Sequence, residues 1–190
     1  MSDQIHFVAL LKTGDSGAYD KLIEDYQHMV YNTVLGIVNH LQDAEDITQN
    51  VFIQIFKSIH DFKGDSKLST WIYRIAITKS LEWERKKKSK KSINYFKNLF
   101  GISTETIEMS TFHHPGVELH NKEMAAMLFK AIKKLPENQR LAFVLIKVEG
   151  LNYQEVGEIM NKSTKSIEGL VLRAKAQLKL ILNDYFTEKF

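Results

Sequence analysis

Residues Asp61 to Lys91, DFKGDSKLSTWIYRIAITKSLEWERKKKSKK, place a short polar loop, an aromatic-bearing helix and a dense run of positive charge in succession. A loop and aromatic side chains suit a base lifted out of its stack, and Lys and Arg suit the phosphates beside it. Arg85, Lys86, Lys87, Lys88, Lys90 and Lys91 put six cations in seven positions. The dipole at a helix C-terminus accounts for some of that charge, and a phosphate backbone would offset the mutual repulsion of the rest. Trp71, Ile72, Ile75, Ala76 and Trp83 lie at roughly helical spacing, which also suits a core.

Upstream, Asp43, Glu45 and Asp46 cluster on a segment whose polar side continues through Gln49 and Asn50. Such a face is either solvated or a docking surface for a cationic partner helix. The DAED run is helical and lacks the Gly turn of a calcium loop, and Pro115 and Gly116 interrupt His113, His114, Glu118 and His120, which read as a turn. Neither is expected to hold a metal. No cysteine is present, which excludes disulfides, thiol catalysis and Cys-based zinc sites. With no Gly-rich phosphate loop and no nucleophile motif, an enzyme, a cofactor or a small-molecule substrate is not expected.

The elements that must position these residues read as helices. Only two prolines, Pro115 and Pro136, occur in 190 residues, and strand-like alternation is absent, so the chain is expected to be all α. Gly14 to Gly17 breaks a short first helix, with Asp15 or Ser16 as the next cap. Tyr19, Leu22, Ile23, Tyr26, Met29, Val30, Val34, Ile37, Val38 and Leu41 form one apolar stripe. A helix from Asp43 to about His60 turns Ile47, Val51, Ile55 and Ile59 inward, joined by Phe52 and Phe56. The next runs from about Ser69, with Ser69 or Thr70 as cap, to Lys88, and the basic run extends its last turn. Residues 92–121 lose periodicity and are expected to be a linker.

Lys122 to Lys134 predicts a further helix, ended by Leu135-Pro136. Pro136 suits the first position of a helix through Leu141, Val144, Leu145 and Val148, which Gly150 stops. Asn152 and Glu155 resemble a capping box, and Gly157 is expected to admit a close neighbour. Ser163 is expected to cap a last helix with Ile167, Leu170, Val171, Ala174 and Leu178 inside. Thr164, Lys165, Ser166, Glu168, Gly169, Arg173 and Lys175 then point outward. This is the helix-turn-helix layout, in which the second helix enters the major groove. Two small helical domains, 1–91 and 122–190, joined by a linker over 92–121, are therefore expected.

Three of these stretches resemble the bacterial alternative sigma factors of the extracytoplasmic-function group, over nearly the whole length. DAEDITQNVFIQIFK is similar to the family's segment that docks on the beta-prime clamp helices of core RNA polymerase. FKGDSKLSTWIYRIA is similar to the segment that reads and melts the minus-ten promoter element. Leu135 to Leu178 resembles the region that binds the minus-thirty-five element and the beta flap. The resemblance implies that Asp43, Glu45, Asp46, Gln49 and Asn50 face polymerase, and that Lys63, Gly64, Asp65, Ser66 and Lys67 capture a flipped base beside Trp71. It further implies that Arg74, Thr78 and Lys79 contact the upstream edge of the minus-ten element. Arg85, Lys86, Lys87 and Lys88 are expected on phosphates, and Ser163, Thr164, Lys165, Ser166, Glu168, Arg173 and Lys175 at the minus-thirty-five element.

An anti-sigma factor is an implied partner. Thr78 stands where the family usually has an Asn-like residue, and Glu168 and Leu170 where basic residues are common. Glu168 either weakens backbone contact or accepts from cytosine N4. No stretch approaches the ~20 apolar residues that span a bilayer, and MSDQIHF has no signal-peptide pattern, which points to the cytoplasm. A helix-turn-helix regulator that never joins polymerase is the alternative.

Overall fold

In a computed structural model, residues 2–99 and 127–187 are described, and every regular element among them is helical. The first half comprises α1 (Ser2–Thr13), α2 (Ser16–Val38), α3 (Leu41–Ser58), a short 3-10 turn (Ile59–Asp61) and α4 (Leu68–Leu99). The second comprises α5 (127–133), α6 (Glu137–Lys147), α7 (Tyr153–Met160) and α8 (Thr164–Thr187). The chain is an all-α protein of two helical regions, the second built around a helix-turn-helix.

Local chemistry sets most boundaries. The Asp15 carboxylate accepts from the Ala18 amide at 2.7 Å and starts α2. That helix stops at Asn39, which adopts the left-handed conformation (φ 51°). The apolar stripe through Leu41 therefore does not belong to one helix: Leu41 opens α3, and His40 caps it by accepting from the Asp43 amide through Nδ1. The first amide of α4 is met by neither Ser69 nor Thr70, but by the Gln4 side chain, which accepts from Leu68 at 3.3 Å. α4 also runs on to Leu99, so the basic run lies in mid-helix and the helix-end dipole does not account for it. The first eight residues assigned to the linker, 92–99, are helical, and the rest of it lies outside the described residues together with the HHPG turn.

In the second half Pro136 sits at the cap of α6, one position before the expected one. Asn152 and Glu155 form the anticipated reciprocal box, and the Ser163 hydroxyl accepts from the Ser166 amide at 3.3 Å to start α8. Gly157 lies beneath the turn between α7 and α8, and a Cβ there would stand 2.8 Å from the Lys162 carbonyl oxygen. Since that obstacle is backbone, Gly157→Ala is expected to destabilise the motif by about 1–3 kcal/mol despite alanine's better helix propensity. Urea unfolding measures it, and an unchanged midpoint would show that the turn yields freely.

One apolar core runs through both regions, joining Leu22, Val34, Ile47, Val51, Ile55, Ile72 and Ala76 to Leu141, Leu145, Val156 and Ile167. Burial of each large aliphatic side chain stabilises by roughly 1.5–3 kcal/mol. α6 reaches α2 because residue 36 is glycine: a Cβ there would lie 2.8 Å from Val144 Cγ1. Beside this contact Arg140 of α6 makes a buried two-pronged ion pair with Glu84 of α4, one bond measuring 3.1 Å.

Candidate nucleic-acid and protein interface

Trp71, Arg74, Ile75, Thr78 and Lys79 recur at three- and four-residue intervals, so they share one side of α4. With Gln54 and Ser58 of α3, Asp61 and Glu82 they line an open groove of about 500 Å³. Its floor is apolar at Trp71 and Ile75. Its rim offers hydroxyl and amide groups together with charges of both signs, Lys79 lying 3.6 Å from Glu82. A planar ring with polar edges suits such a slot better than a string of phosphates, which Asp61 and Glu82 would repel. Trp71 is held at one end by Phe62, with ring centroids 5.3 Å apart.

The adjoining loop is open. Lys63, Gly64, Asp65 and Lys67 are exposed and Ser66 is half-buried. Gly64 has φ +82°, a conformation that side-chain-bearing residues rarely adopt. Lys12 of α1 donates to the Phe62 carbonyl at 2.8 Å and tethers the start of the loop.

The basic run lies farther along the same helix, ~20–30 Å from Trp71 at 1.5 Å per residue. Its members are not equivalent. Lys86 and Lys88 are exposed, and Arg85 reaches Glu137 at 4.0 Å. Lys87 bonds Asp43 at 2.8 Å and lies 4.2 Å over the Trp83 ring, so it is engaged within the fold. Asp43, also 3.0 Å from His40, is correspondingly enclosed.

Glu45, Asp46, Gln49 and Asn50 remain exposed on α3. The same outer side continues into Ile53 and Phe56, 51% and 58% exposed. Phe56 was expected with the inward residues; instead it stands out beside Tyr19, ring centroids 5.0 Å apart, near half-exposed Ile23. Ile53 is the residue that sequence reasoning missed. It lies three positions from Asn50 and four from Gln49, and an isoleucine within an otherwise polar stripe was the available signal.

Ser163 at the cap of α8 and Thr164, Lys165, Ser166, Glu168, Arg173 and Lys175 along it are all exposed, whereas Leu170 is buried.

The α4 groove and the helix-turn-helix are in direct contact. The Arg74 guanidinium donates to the Glu158 carbonyl at 2.7 Å and to that of Ile159 at 3.4 Å, both at the C-terminal end of α7. A cation is favoured there by the helix dipole. Lys67 pairs with Glu155 at 3.2 Å. The Tyr73 hydroxyl donates to Glu149 at 3.4 Å, and Glu149 Oε1 is buried with no hydrogen-bond partner.

Burial raises the Glu149 carboxyl to about 7, against the opposing hydrogen bond from Tyr73. The folded chain therefore keeps a proton there that the unfolded chain releases above pH ~4.5. The associated stability is full below that pH and is lost as pH rises to about 7. The wild type is expected to lose about 2 kcal/mol more than Glu149→Gln across this window, allowing for solvent on its open side. Chemical unfolding at several pH values reads the difference, and parallel profiles would refute it.

The Sigma-70 region 2 family model matches residues 22–90 and the Sigma-70 region 4 model residues 125–178. The chain is 27% identical over 190 residues to the RNA polymerase sigma-H factor of Pseudomonas aeruginosa, covering 95% of this chain and 94% of that one. It is also 27% identical over 182 residues to the ECF RNA polymerase sigma-E factor of Escherichia coli, covering 92% and 91%. Among solved structures, CnrH in complex with the cytosolic domain of CnrY shares the fold with a TM-score of 0.69 at 19% identity, over 95% of this chain and 97% of that one. RpoE of Bartonella quintana, in complex with the anti-sigma factor NepR, gives 0.63 at 19% identity over 87% and 96%. The two matched regions hold the α4 groove and the helix-turn-helix respectively, and with relatives aligned along nearly their full length, the chain belongs to the extracytoplasmic-function group of RNA polymerase sigma factors.

Proposed function

We propose that this sigma factor, which is not an enzyme, docks on the beta-prime clamp helices of core polymerase through Glu45, Asp46, Gln49 and Asn50, with Ile53 and Phe56 as apolar anchors. Asp43 supports that face from beneath. The loop Lys63–Lys67 and the groove of Trp71, Arg74, Thr78 and Lys79 take the minus-ten element, holding a displaced base while Arg85, Lys86 and Lys88 neutralise phosphates. The start of α8, with Arg173 and Lys175 behind it, enters the major groove at the minus-thirty-five element, and the same region meets the beta flap. Residues 1–91 and 122–190 act as separate DNA-reading domains. The observation that carries this reading is the gathering of Trp71, Arg74, Thr78 and Lys79 around one slot beside the exposed Gly64 loop.

CnrH and RpoE are seen with the cytosolic domain of CnrY and with the anti-sigma factor NepR. We infer that a protein inhibitor holds this chain as well. Transcription reconstituted with core polymerase on native upstream DNA is expected to give promoter-dependent product only when the chain is added. No such product on any upstream region, with failure to co-elute with core enzyme, would instead favour a regulator that acts apart from polymerase.

A further inference from the structure

The buried side of α8 fixes which of its residues can meet a groove. Ile167, Leu170, Val171, Ala174 and Leu178 face the core. At about 100° per residue the middle of the opposite side falls on Lys165, Glu168, Gly169 and Leu172. Glu168 and Leu172 follow Lys165 by three and seven residues, the spacing at which helices of the helix-turn-helix class present side chains to base edges.

Both are exposed, Leu172 at 70%. Neither suits the phosphate backbone, which repels a carboxylate and offers a leucine no apolar contact. On base edges each has a partner. The Arg173 side chain lies back over Gly169, with Nη1 3.5 Å from an ideal Cβ position there. Its guanidinium is thereby carried toward the turn that holds Glu168, where it offsets the repulsion between that carboxylate and flanking phosphates.

We propose that α8 reads sequence through this pair: Glu168 accepts a hydrogen bond from the N4 amine of a cytosine, and Leu172 packs on the 5-methyl group of a thymine. The proposal rests on the assignment of α8 to the minus-thirty-five element above. Adenine also shows an amine in the major groove, but its N7 stands beside that amine and repels a carboxylate, whereas cytosine has a C–H there. Glu168 and Leu172 are one helical turn apart, ~6 Å, and base pairs stack at ~3.4 Å, so the two bases lie within about two base pairs of each other.

The test uses the full chain with core polymerase on a native promoter whose minus-thirty-five hexamer is randomised and linked to a barcode in the transcript. Wild type is expected to favour one C·G pair and, within two base pairs of it, one T·A pair, each at least fivefold over the other bases. Glu168→Gln should change the first preference to adenine, whose N6 and N7 match a glutamine amide, and leave the second intact. Leu172→Ala should abolish only the second. Each preference is a ratio within one variant, so a smaller yield of folded protein does not alter it.

Uracil in place of the favoured thymine removes only the methyl group. It should cost the wild type the same factor and Leu172→Ala nothing. A cytosine preference that survives Glu168→Gln, or uracil that serves the wild type as well as thymine, would overturn the proposal. So would a Leu172→Ala chain that loses output on every hexamer alike and keeps its thymine preference, which would place that leucine against a protein. If the wild type gives no product on any hexamer, the assignment of α8 itself has failed, and the proposal with it.

Discussion

Glu84→Ala is expected to remove about 3–5 kcal/mol from the packed chain, because it leaves the Arg140 guanidinium buried without a counter-charge. The residues are almost fully enclosed, at 7% and 5% exposure for Glu84 and Arg140, and Arg140 Nε has no partner even with the pair intact. The loss should not fall evenly along the chain. Both tryptophans, Trp71 and Trp83, lie on α4, so their fluorescence reports the first region, whereas far-UV dichroism reports all helices. In urea the two signals should coincide for wild type and separate for Glu84→Ala, with part of the helical signal lost first. Replacing both partners with apolar residues, Glu84→Leu with Arg140→Met, should return stability to near wild type or above, since desolvation of the two charges offsets most of their attraction. A double replacement as damaging as the single one would mean that the pair has a net stabilising role.

The second large effect concerns function. If the α4 groove holds a displaced base, Trp71→Ala should lower open-complex formation by roughly 5- to 100-fold, the range expected for losing one base–aromatic stack. Binding to closed duplex should change little. Permanganate reactivity of unpaired thymines, set beside a mobility shift on the same promoter, separates the two. Trp71 also packs on Phe62, so its removal loosens the loop as well as the groove. Trp71→Phe keeps a ring at that position and should retain most of the opening activity, with the thermal midpoint of each variant followed in parallel. Equal loss of opening and duplex binding would assign Trp71 to packing.

Much of the architecture was legible because its signals are local. The Asp15 cap, the Asn152–Glu155 box, the Ser163 cap and the need for glycine at 157 follow from a few neighbouring residues, and each occurs as expected. Features that depend on distant partners were not legible. The start of α4 is met by Gln4, sixty-four residues away, and the end of α2 at Asn39 carries neither Gly nor Pro to mark it. Periodicity placed Phe56 inside because it adjoins Ile55; the neighbouring helices cover only the side that holds Val51, Ile55 and Ile59. At the site, the residue types along α4 were readable and their convergence with α3 was not. Nor could a string of lysines reveal that Lys87 pairs with Asp43, or that the two regions share one core.

The outward Ile53 and Phe56 carry a consequence for dosage. Apolar side chains standing together on a solvated surface are adhesive, and they are usually covered by whatever the protein works with. Two proteins that use this patch cannot occupy it together. If polymerase and the inhibitor proposed above both use it, the fraction of molecules available for work is set by stoichiometry, and output would rise steeply once the inhibitor is outnumbered.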